Sequence, residues 1–464
     1  MNTASEELII DPELLRQFDR PGPRYTSYPT ADRFVEAFGA EAYRLALEKR
    51  VIGGFSRALA LYVHLPFCGT ICYYCGCNKV VTRDHGRSAK YLRYLAKEIN
   101  LVGAALGKKE DVAQLHLGGG TPTFLSDAEL GQLMDSIRNQ FNLPAESELS
   151  IEVDPRTVSP ERMATLARLG FNRLSVGVQD LNIEVQRAIN RIQSAEQTAS
   201  VIESARRCGF KSVNVDLIYG LPRQRLANFS SSLERVIEMA PDRIALYSYA
   251  HLPAVFKPQR RINEADLPDA PTRIDLMIHA IRTLSEAGYV YIGMDHFARP
   301  DDDLAVAQRL GRLQRNFQGY STQAEADLIG LGLSAIGNIG PVYSQNYRDL
   351  DDYYGALDNG VFPVMRGIEM TPDDLVRRAV IHALMCQFEV SFSAIEIAYL
   401  INFRQYFGRE LEDLSRFERE GLVEVDDASI IVTPRGRLLV RAVCMLFDQY
   451  LRSSEQRARY SKVI

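Results

Sequence analysis

"ALALYVHLPFCGTICYYCGCNK", residues 58–79, joins an apolar, β-rich run to a loop carrying four of the chain's seven cysteines. The run has the length and composition of a buried strand, and the loop follows it without a break. Within the loop, Cys68, Cys72 and Cys75 are spaced Cys-x-x-x-Cys-x-x-Cys, and Cys77 stands two residues further on. A four-cysteine zinc site ordinarily takes two Cys-x-x-Cys knuckles, roughly a dozen or more residues apart, so that its ligands approach from two sides. Here there is one loop. Thiolates at this spacing can reach three corners of an iron-sulfur cube and leave the fourth iron open to a ligand that is not protein. A zinc loop, or thiols without metal, is the alternative reading.

Further β-rich runs follow: "AQLHL" ending at Leu117, "ELSIEV" at Val153, "NRLSVGV" at Val178, "SVNVDLI" at Ile218, "RIALYSY" at Tyr249 and "YVYIGM" at Met294. Helical patterns lie between them, such as "SDAELGQLMDSIRNQF", where Ser126 is the expected N-cap and Asp127 and Glu129 the acidic first turn. This alternation predicts parallel βα units, and six or seven in series suit a full or partial β/α barrel; a doubly wound sheet is the alternative. Polar or glycine-rich residues follow nearly every run, as in "GGGTPT", "DPRT", "YGLP", "AHLP" and "DHFARP". In either architecture these are the C-terminal strand ends, where ligands bind.

Residues 1–55 read as an N-terminal extension, irregular around "PGPRYTSYPT", with residues 56–365 as the barrel and its connecting elements. Thr371, Pro372, Asp373 and Asp374 have the cap, first-turn proline and acidic start of a new helix. Residues 366–464 then read as a mostly helical domain with a hairpin turning at Asp426-Asp427, in a winged-helix-like order.

With 46% hydrophobic and 24% charged residues, and no apolar run of the roughly 18 residues that span a bilayer, a soluble protein is expected. "MNTASEELII" lacks the features of a secretory signal, so the expected compartment is the cytoplasm. Cys208, Cys386 and Cys444 are far apart and are read as buried apolar residues. The net charge of -5 removes the general attraction that a nucleic-acid binder exploits.

The cysteine spacing directly after the first strand resembles the signature of the radical S-adenosylmethionine superfamily. That resemblance implies a partial (β/α)6-type barrel, with Cys68, Cys72 and Cys75 holding a 4Fe-4S cluster whose fourth iron is chelated by S-adenosyl-L-methionine. It also implies chemistry through a 5′-deoxyadenosyl radical. More narrowly, "GPRYTSYPT", "YVHLPFC", "CGCNK", "LHLGGGTPT", "IEVDPRT", "FNRLSVGVQD", "DLIYGLP", "GMDHFARPDD" and "RNFQGYST", in this order, resemble the oxygen-independent coproporphyrinogen III oxidases. The likeness runs from about residue 20 to the terminal "YSKVI". The implied reaction converts two propionates of coproporphyrinogen III to vinyl groups by oxidative decarboxylation, giving protoporphyrinogen IX.

The resemblance implies roles residue by residue. Cys77 takes a catalytic role outside the cluster. Gly119, Gly120 and Thr121 meet the amino-acid end of S-adenosylmethionine, and Glu152, Gln179, Arg191 and Asp216 match cofactor-binding positions. Tyr62, Tyr74, Ala250 and Ile336 line the same site; the family commonly has phenylalanine at Tyr74, whose hydroxyl needs a partner if buried. Phe317 and Gln318 border a second cofactor or substrate position. Four substrate propionates call for local cations and hydrogen-bond donors, and Arg24, Tyr25, Tyr28 and Lys79 are the candidates, with the N-terminal segment as a lid. His64, His116, His251 and His296 show no close-spaced metal pair, and structural hydrogen bonding is expected of them.

No flavin or nicotinamide fingerprint is present, so a separate low-potential electron donor such as flavodoxin or ferredoxin is implied, with an unidentified electron acceptor. Clusters reach potentials as low as about -700 mV. A monomer is expected. The rival from another class is a haem chaperone that keeps the loop and barrel; Cys77 and "PRYTSYPT" favour the oxidase. A DNA-binding role for the C-terminal domain is disfavoured: residues 396–437 hold nine acidic residues against six arginines.

Overall fold

The computed structural model describes residues 8–18, 20–50, 57–323, 326–451 and 460. Apart from Tyr460, the "YSKVI" terminus lies outside the described residues. The chain divides into two compact units, Phe34–Leu276 with Glu325–Glu369, and Met1–Arg33 with Met277–Ala324 and Met370–Ile464.

In the first unit, β1 (Leu59–Leu65), β2 (Val112–Gly119), β3 (Glu148–Val153), β4 (Arg173–Gln179), β5 (Ser212–Tyr219) and β6 (Arg243–Ser248) lie side by side in chain order, all parallel. The crossovers contain α1 (His85–Leu106), α2 (Asp127–Gln140), α3 (Pro160–Arg168), α4 (Ala195–Arg207) and α5 (Leu226–Glu238). The free edge of β1 takes β7 (Asp327–Leu331) in parallel, and then β8 (Ile336–Ile339), β9 (Val342–Asn346) and β10 (Val364–Glu369) follow antiparallel. The neighbour of β1 is thus β7 and not β6, so the six strands form a partial barrel that does not close on itself.

Side-chain alternation explains what each strand contributes. Leu59, Leu61 and Val63 are wholly buried on one face of β1, while Tyr62 and His64 point to the other. Ser126 caps α2 as expected, in a capping box with Glu129. Buried Glu98 of α1 joins the helix to the antiparallel strands: its carboxylate accepts from Gly332 N (2.7 Å), Tyr353 OH (2.6 Å) and Asn346 Nδ2 (2.6 Å).

In the second unit the N-terminal segment is anchored by buried polar contacts. Tyr25 OH donates to Asp448 Oδ2 (3.0 Å), Gln449 N donates to Tyr28 OH (3.2 Å), and Arg441 Nε donates to Pro23 O (2.9 Å). Val290–Gly293, the last of the β-rich runs, pairs antiparallel with His296–Ala298. Met294 and Asp295 form a connection far too short for a parallel crossover, and Met294 adopts φ +51° within it. The parallel series therefore numbers six, the lower of the two expected values.

Beyond them, α6 (Pro372–Gln387) begins at a Thr371/Asp374 capping box. Glu389–Ser391, Ser429–Val432 and Val423–Val425 make a three-stranded antiparallel sheet with three short helices between the first strand and the hairpin. Asp426 closes the expected turn by accepting from Ala428 N (2.8 Å) and Ser429 N (2.7 Å). Cys386 and Cys444 are buried, but Cys208 is only half-buried, because it caps the C-terminus of α4 at the surface. Among the described residues no helix is long and apolar enough to cross a membrane.

Candidate cofactor site

The cysteine loop is closed at its base. Phe67–Cys68 pairs in parallel with Val80–Val81, with Val80 N donating to Pro66 O (2.7 Å) and Thr82 N to Cys68 O (2.9 Å). The glycine loop after β2 lies against the same strand end: Gly120 N donates to Leu65 O and Thr121 N to Phe67 O, both at 2.8 Å. A Cβ on Gly120 would stand 2.7 Å from the Pro66 and Phe67 backbone. One on Gly119, at φ +114°, would stand 2.7 Å from the His64 ring. Here the glycines are required by close approach and by a left-handed backbone. Across the loop, Tyr73 N donates to Ile189 O (2.9 Å) and Asn190 Nδ2 to Ile71 O (2.7 Å).

Two of the expected ligand sulfurs face a donor. Thr121 Oγ1 lies 3.7 Å from Cys68 Sγ and Arg191 Nη1 lies 3.8 Å from Cys72 Sγ. The neighbouring Cys77 thiol pulls the Cys75 thiol down against the effect of burial, whereas burial pushes Cys68 up to about 11. Lys79 Nζ braces the loop from within, donating to the carbonyls of Cys75 (3.1 Å) and Cys77 (3.3 Å). Among the described residues no three His, Cys, Asp or Glu converge on a single ion. An iron-sulfur cube asks for something else, one thiolate at each of three separate irons. A single loop with donors trained on two of its sulfurs and a backbone cradle a Cβ would fill fits such a cluster and its small-molecule ligand.

The surrounding side chains form a connected layer. His64 Nε2 lies 2.9 Å from Asn78 O, which can only accept, so Nδ1 of the neutral ring accepts from Tyr62 OH at 3.1 Å. Burial holds His64 below its ordinary pKa and so in that neutral form. The ring of Tyr62 stacks on His116, which bonds Ser150 Oγ and Glu152 Oε1. Burial raises Glu152, but bonds from His116 and from Gly119 N (3.1 Å) outweigh it and keep the carboxyl below its usual range. Asp216 goes the other way: burial and the charge of Glu152 push it up to about 6 despite bonds from Asn214 and Ser175. Two carboxyls on strands either side of β4 are thereby set apart, one held below its usual range and one raised above it.

Arg191 is buried and forked. Nη1 donates to Asp154 Oδ2 (3.1 Å) and Nη2 to Gly177 O (2.7 Å), which leaves buried Nε without a partner. Gln179 closes β4 at φ +68°, next to a register shift after Gly177. Ile336 opens β8 against Gly330, whose register partner on β1 is Tyr62. Tyr74, half-buried, packs against a cluster containing Val185, Ile189 and Tyr249. The cysteine and glycine loops follow β1 and β2, Glu152 and Gln179 stand near the C-terminal ends of β3 and β4, Asp216 lies on β5 and Ala250 follows β6, while Ile336 stands on the antiparallel β8.

Phe317, Gln318, Arg24, Tyr25 and Tyr28 belong to the other unit. Phe317 and Gln318 form the turn between Gln314–Asn316 and Gly319–Ser321. Arg24 forms an ion pair with Asp295, while Tyr25 and Tyr28 are buried with their hydroxyls engaged as described above. Among the histidines, His64 and His116 hold hydrogen bonds as expected, and His251 bonds Tyr249 OH and Glu264. Sequence reasoning passed over Asp154 and Gln259. Asp154 could have been found in "DPRT", which was noted only as a strand end; Gln259 carries no motif signal.

A family model described as "Radical SAM superfamily" matches residues 62–236, and one described as "HemN C-terminal domain" matches residues 370–439. The chain is 50% identical over 456 residues to "Oxygen-independent coproporphyrinogen III oxidase" of Pseudomonas aeruginosa, covering 98% of each chain. To the protein of the same name from Escherichia coli K12 it is 47% identical over 459 residues, covering 99% of each. A solved structure titled "Coproporphyrinogen III oxidase (HemN) from Escherichia coli is a Radical SAM enzyme" superposes with a TM-score of 0.91 at 47% identity, covering 96% of this chain and 100% of that one.

Proposed function

This chain belongs to the oxygen-independent coproporphyrinogen III oxidase family, and on that premise we propose how its own residues divide the work. It is a radical S-adenosylmethionine enzyme that decarboxylates two propionates of coproporphyrinogen III oxidatively to vinyl groups. The 4Fe-4S cluster and S-adenosylmethionine, when bound, supply the abstraction of hydrogen from an unactivated carbon, which no protein side chain can perform.

Cys68, Cys72 and Cys75 hold the cluster, with the Thr121 hydroxyl and the Arg191 guanidinium aimed at the sulfurs of the first two. Gly119, Gly120 and Thr121 give the amino-acid end of the cofactor close access to backbone. Glu152, kept ionised by His116 and Gly119, faces its ammonium; the buried guanidinium of Arg191, beside Cys72, supplies the positive charge for its carboxylate. Asp216 and Gln179 bind the polar groups of the ribose, and Tyr62, Tyr74, Ala250 and Ile336 enclose the rest. Cys77, next to the cluster ligands but not one of them, acts in turnover. Phe317 and Gln318 border a second cofactor or substrate position. Arg24 and Lys79 serve the substrate's carboxylates, and Tyr25 and Tyr28 support Arg24 by anchoring its segment. A low-potential donor such as flavodoxin or ferredoxin delivers electrons to a monomeric, cytoplasmic enzyme, with a separate acceptor.

The observation that carries this division is the pairing of donors to sulfurs, Thr121 to Cys68 and Arg191 to Cys72, at one end of the parallel strands. The test is anaerobic reconstitution with coproporphyrinogen III, S-adenosylmethionine and a low-potential reductant, following protoporphyrinogen IX and 5′-deoxyadenosine together. Substitution of Glu152, Arg191 or Asp216 should lower both products and weaken cofactor binding while iron content holds. Cofactor binding unchanged in all three would refute the assignment.

A further inference from the structure

Gln259 lies in the short helix Lys257–Arg261, 2% exposed, in no motif that marks the family likeness. Its amide is engaged on both sides. Oε1 accepts from Leu252 N at 2.6 Å, and Nε2 donates to Ala250 O at 3.1 Å and to Tyr74 O at 3.0 Å. Because an amide N–H can only donate and the two carbonyls can only accept, the orientation of the side chain is determined by its partners. Tyr74 stands between Cys72 and Cys75, and Ala250 follows the end of β6. The same segment grips the loop a second time: the ring of Phe256 would lie 3.1 Å from a Cβ placed on Gly76.

We propose that Gln259 is a positioning residue, a cross-brace that holds the carbonyl edge of the cysteine loop at a set distance from the exit of β6 and so fixes the width of the cofactor groove between them. The inference rests on the reading that Tyr74 and Ala250 line that groove. The physical basis is the cost of the alternative. Without the glutamine, three backbone groups on two loops, at hydrogen bonds shielded in part from solvent, lose their shared partner together, and nothing else then ties the two loops at that point.

The experiment uses the full-length, cluster-reconstituted protein. Gln259→Glu keeps the acceptor for Leu252 but replaces both donors, and Gln259→Asn, one methylene shorter, serves if the first variant does not fold. Hydrogen exchange is followed in residues 72–76 and 250–253, iron is counted, and S-adenosylmethionine binding is measured by equilibrium dialysis. The expected result is wild-type iron content, faster exchange in both segments and affinity weakened about tenfold, as loss of a buried hydrogen bond would give. Unchanged exchange in both segments overturns the brace. Faster exchange with unchanged affinity also overturns the proposal, and does so by removing Tyr74 and Ala250 from the cofactor site while wild-type turnover leaves the family assignment standing.

Discussion

The backbone N–H of Gly120 donates to the carbonyl of Leu65 at 2.8 Å. The glycine loop after β2 and the strand end that launches the cysteine loop are therefore one hydrogen-bonded layer, with no room for a side chain between them.

Gly120→Ala puts a methyl group 2.7 Å from the Pro66 and Phe67 backbone, which cannot rotate away as a side chain could. The expected cost is about 1–3 kcal/mol, by analogy with overpacked cores, together with a shifted Cys68. Thermal unfolding and iron content after reconstitution check it; Gly131→Ala, where a Cβ meets nothing within 4 Å, is the control.

Cys68→Ser, Cys72→Ser and Cys75→Ser should each lose most of the reconstituted iron and its visible absorbance. Cys77→Ser should keep the iron and lose turnover. Iron analysis beside the product assay separates the two groups, and a large iron loss in Cys77→Ser would make that residue a ligand.

Arg191→Lys keeps the charge but not the fork that reaches both Asp154 and Gly177. An ammonium carries three donors on one nitrogen and not a planar fork, so it cannot span Asp154 and Gly177 in the directions the guanidinium does. Cofactor affinity should fall about tenfold or more, equivalent to one charge-assisted hydrogen bond, as measured by equilibrium dialysis.

Arg24→Gln removes the cation proposed for a substrate propionate. The KM for coproporphyrinogen III should rise about tenfold with S-adenosylmethionine binding unchanged, the signature of a lost substrate contact. An unchanged KM would limit Arg24 to its ion pair with Asp295.

Glu98 gives a pH-dependent stability. Burial raises its carboxyl to about 7 although Tyr353, Gly332 and Asn346 all donate to it. A carboxyl whose pKa is higher folded than unfolded stabilises the fold fully below the unfolded value near 4.5, and that contribution is lost as pH rises through about 7. Wild type should therefore lose stability relative to Glu98→Gln between pH 5 and 8, by a few kcal/mol at most. Melting temperatures of both proteins across that range decide it; parallel curves would show that Glu98 titrates normally.

The candidate site was legible where its chemistry is local. Cysteine spacing, the triple glycine and the polar residue ending each β-rich run are short-range features, and they located one end of a parallel sheet as the site. The hairpin at Val290–Gly293 was less clear, because an apolar run does not carry the direction of its partner. Asp154 escaped notice because a strand-end aspartate next to a proline also reads as a cap, which it is for Arg156 N. Nothing near Gln259 in sequence hints at its role.

The sequence by itself determined a series of six or seven parallel βα units, the cysteine loop after the first strand, the glycines and the order of the C-terminal elements, since each depends on periodicity, capping or spacing over a few residues. Tertiary structure alone decided which donor meets which acceptor. Arg191 reaches Cys72 across 119 residues and Gln259 reaches Tyr74 across 185. Such pairings follow from the register of distant strands and the path of their loops, because a buried polar group must find a partner in space and leaves no trace of that partner in its neighbours along the chain.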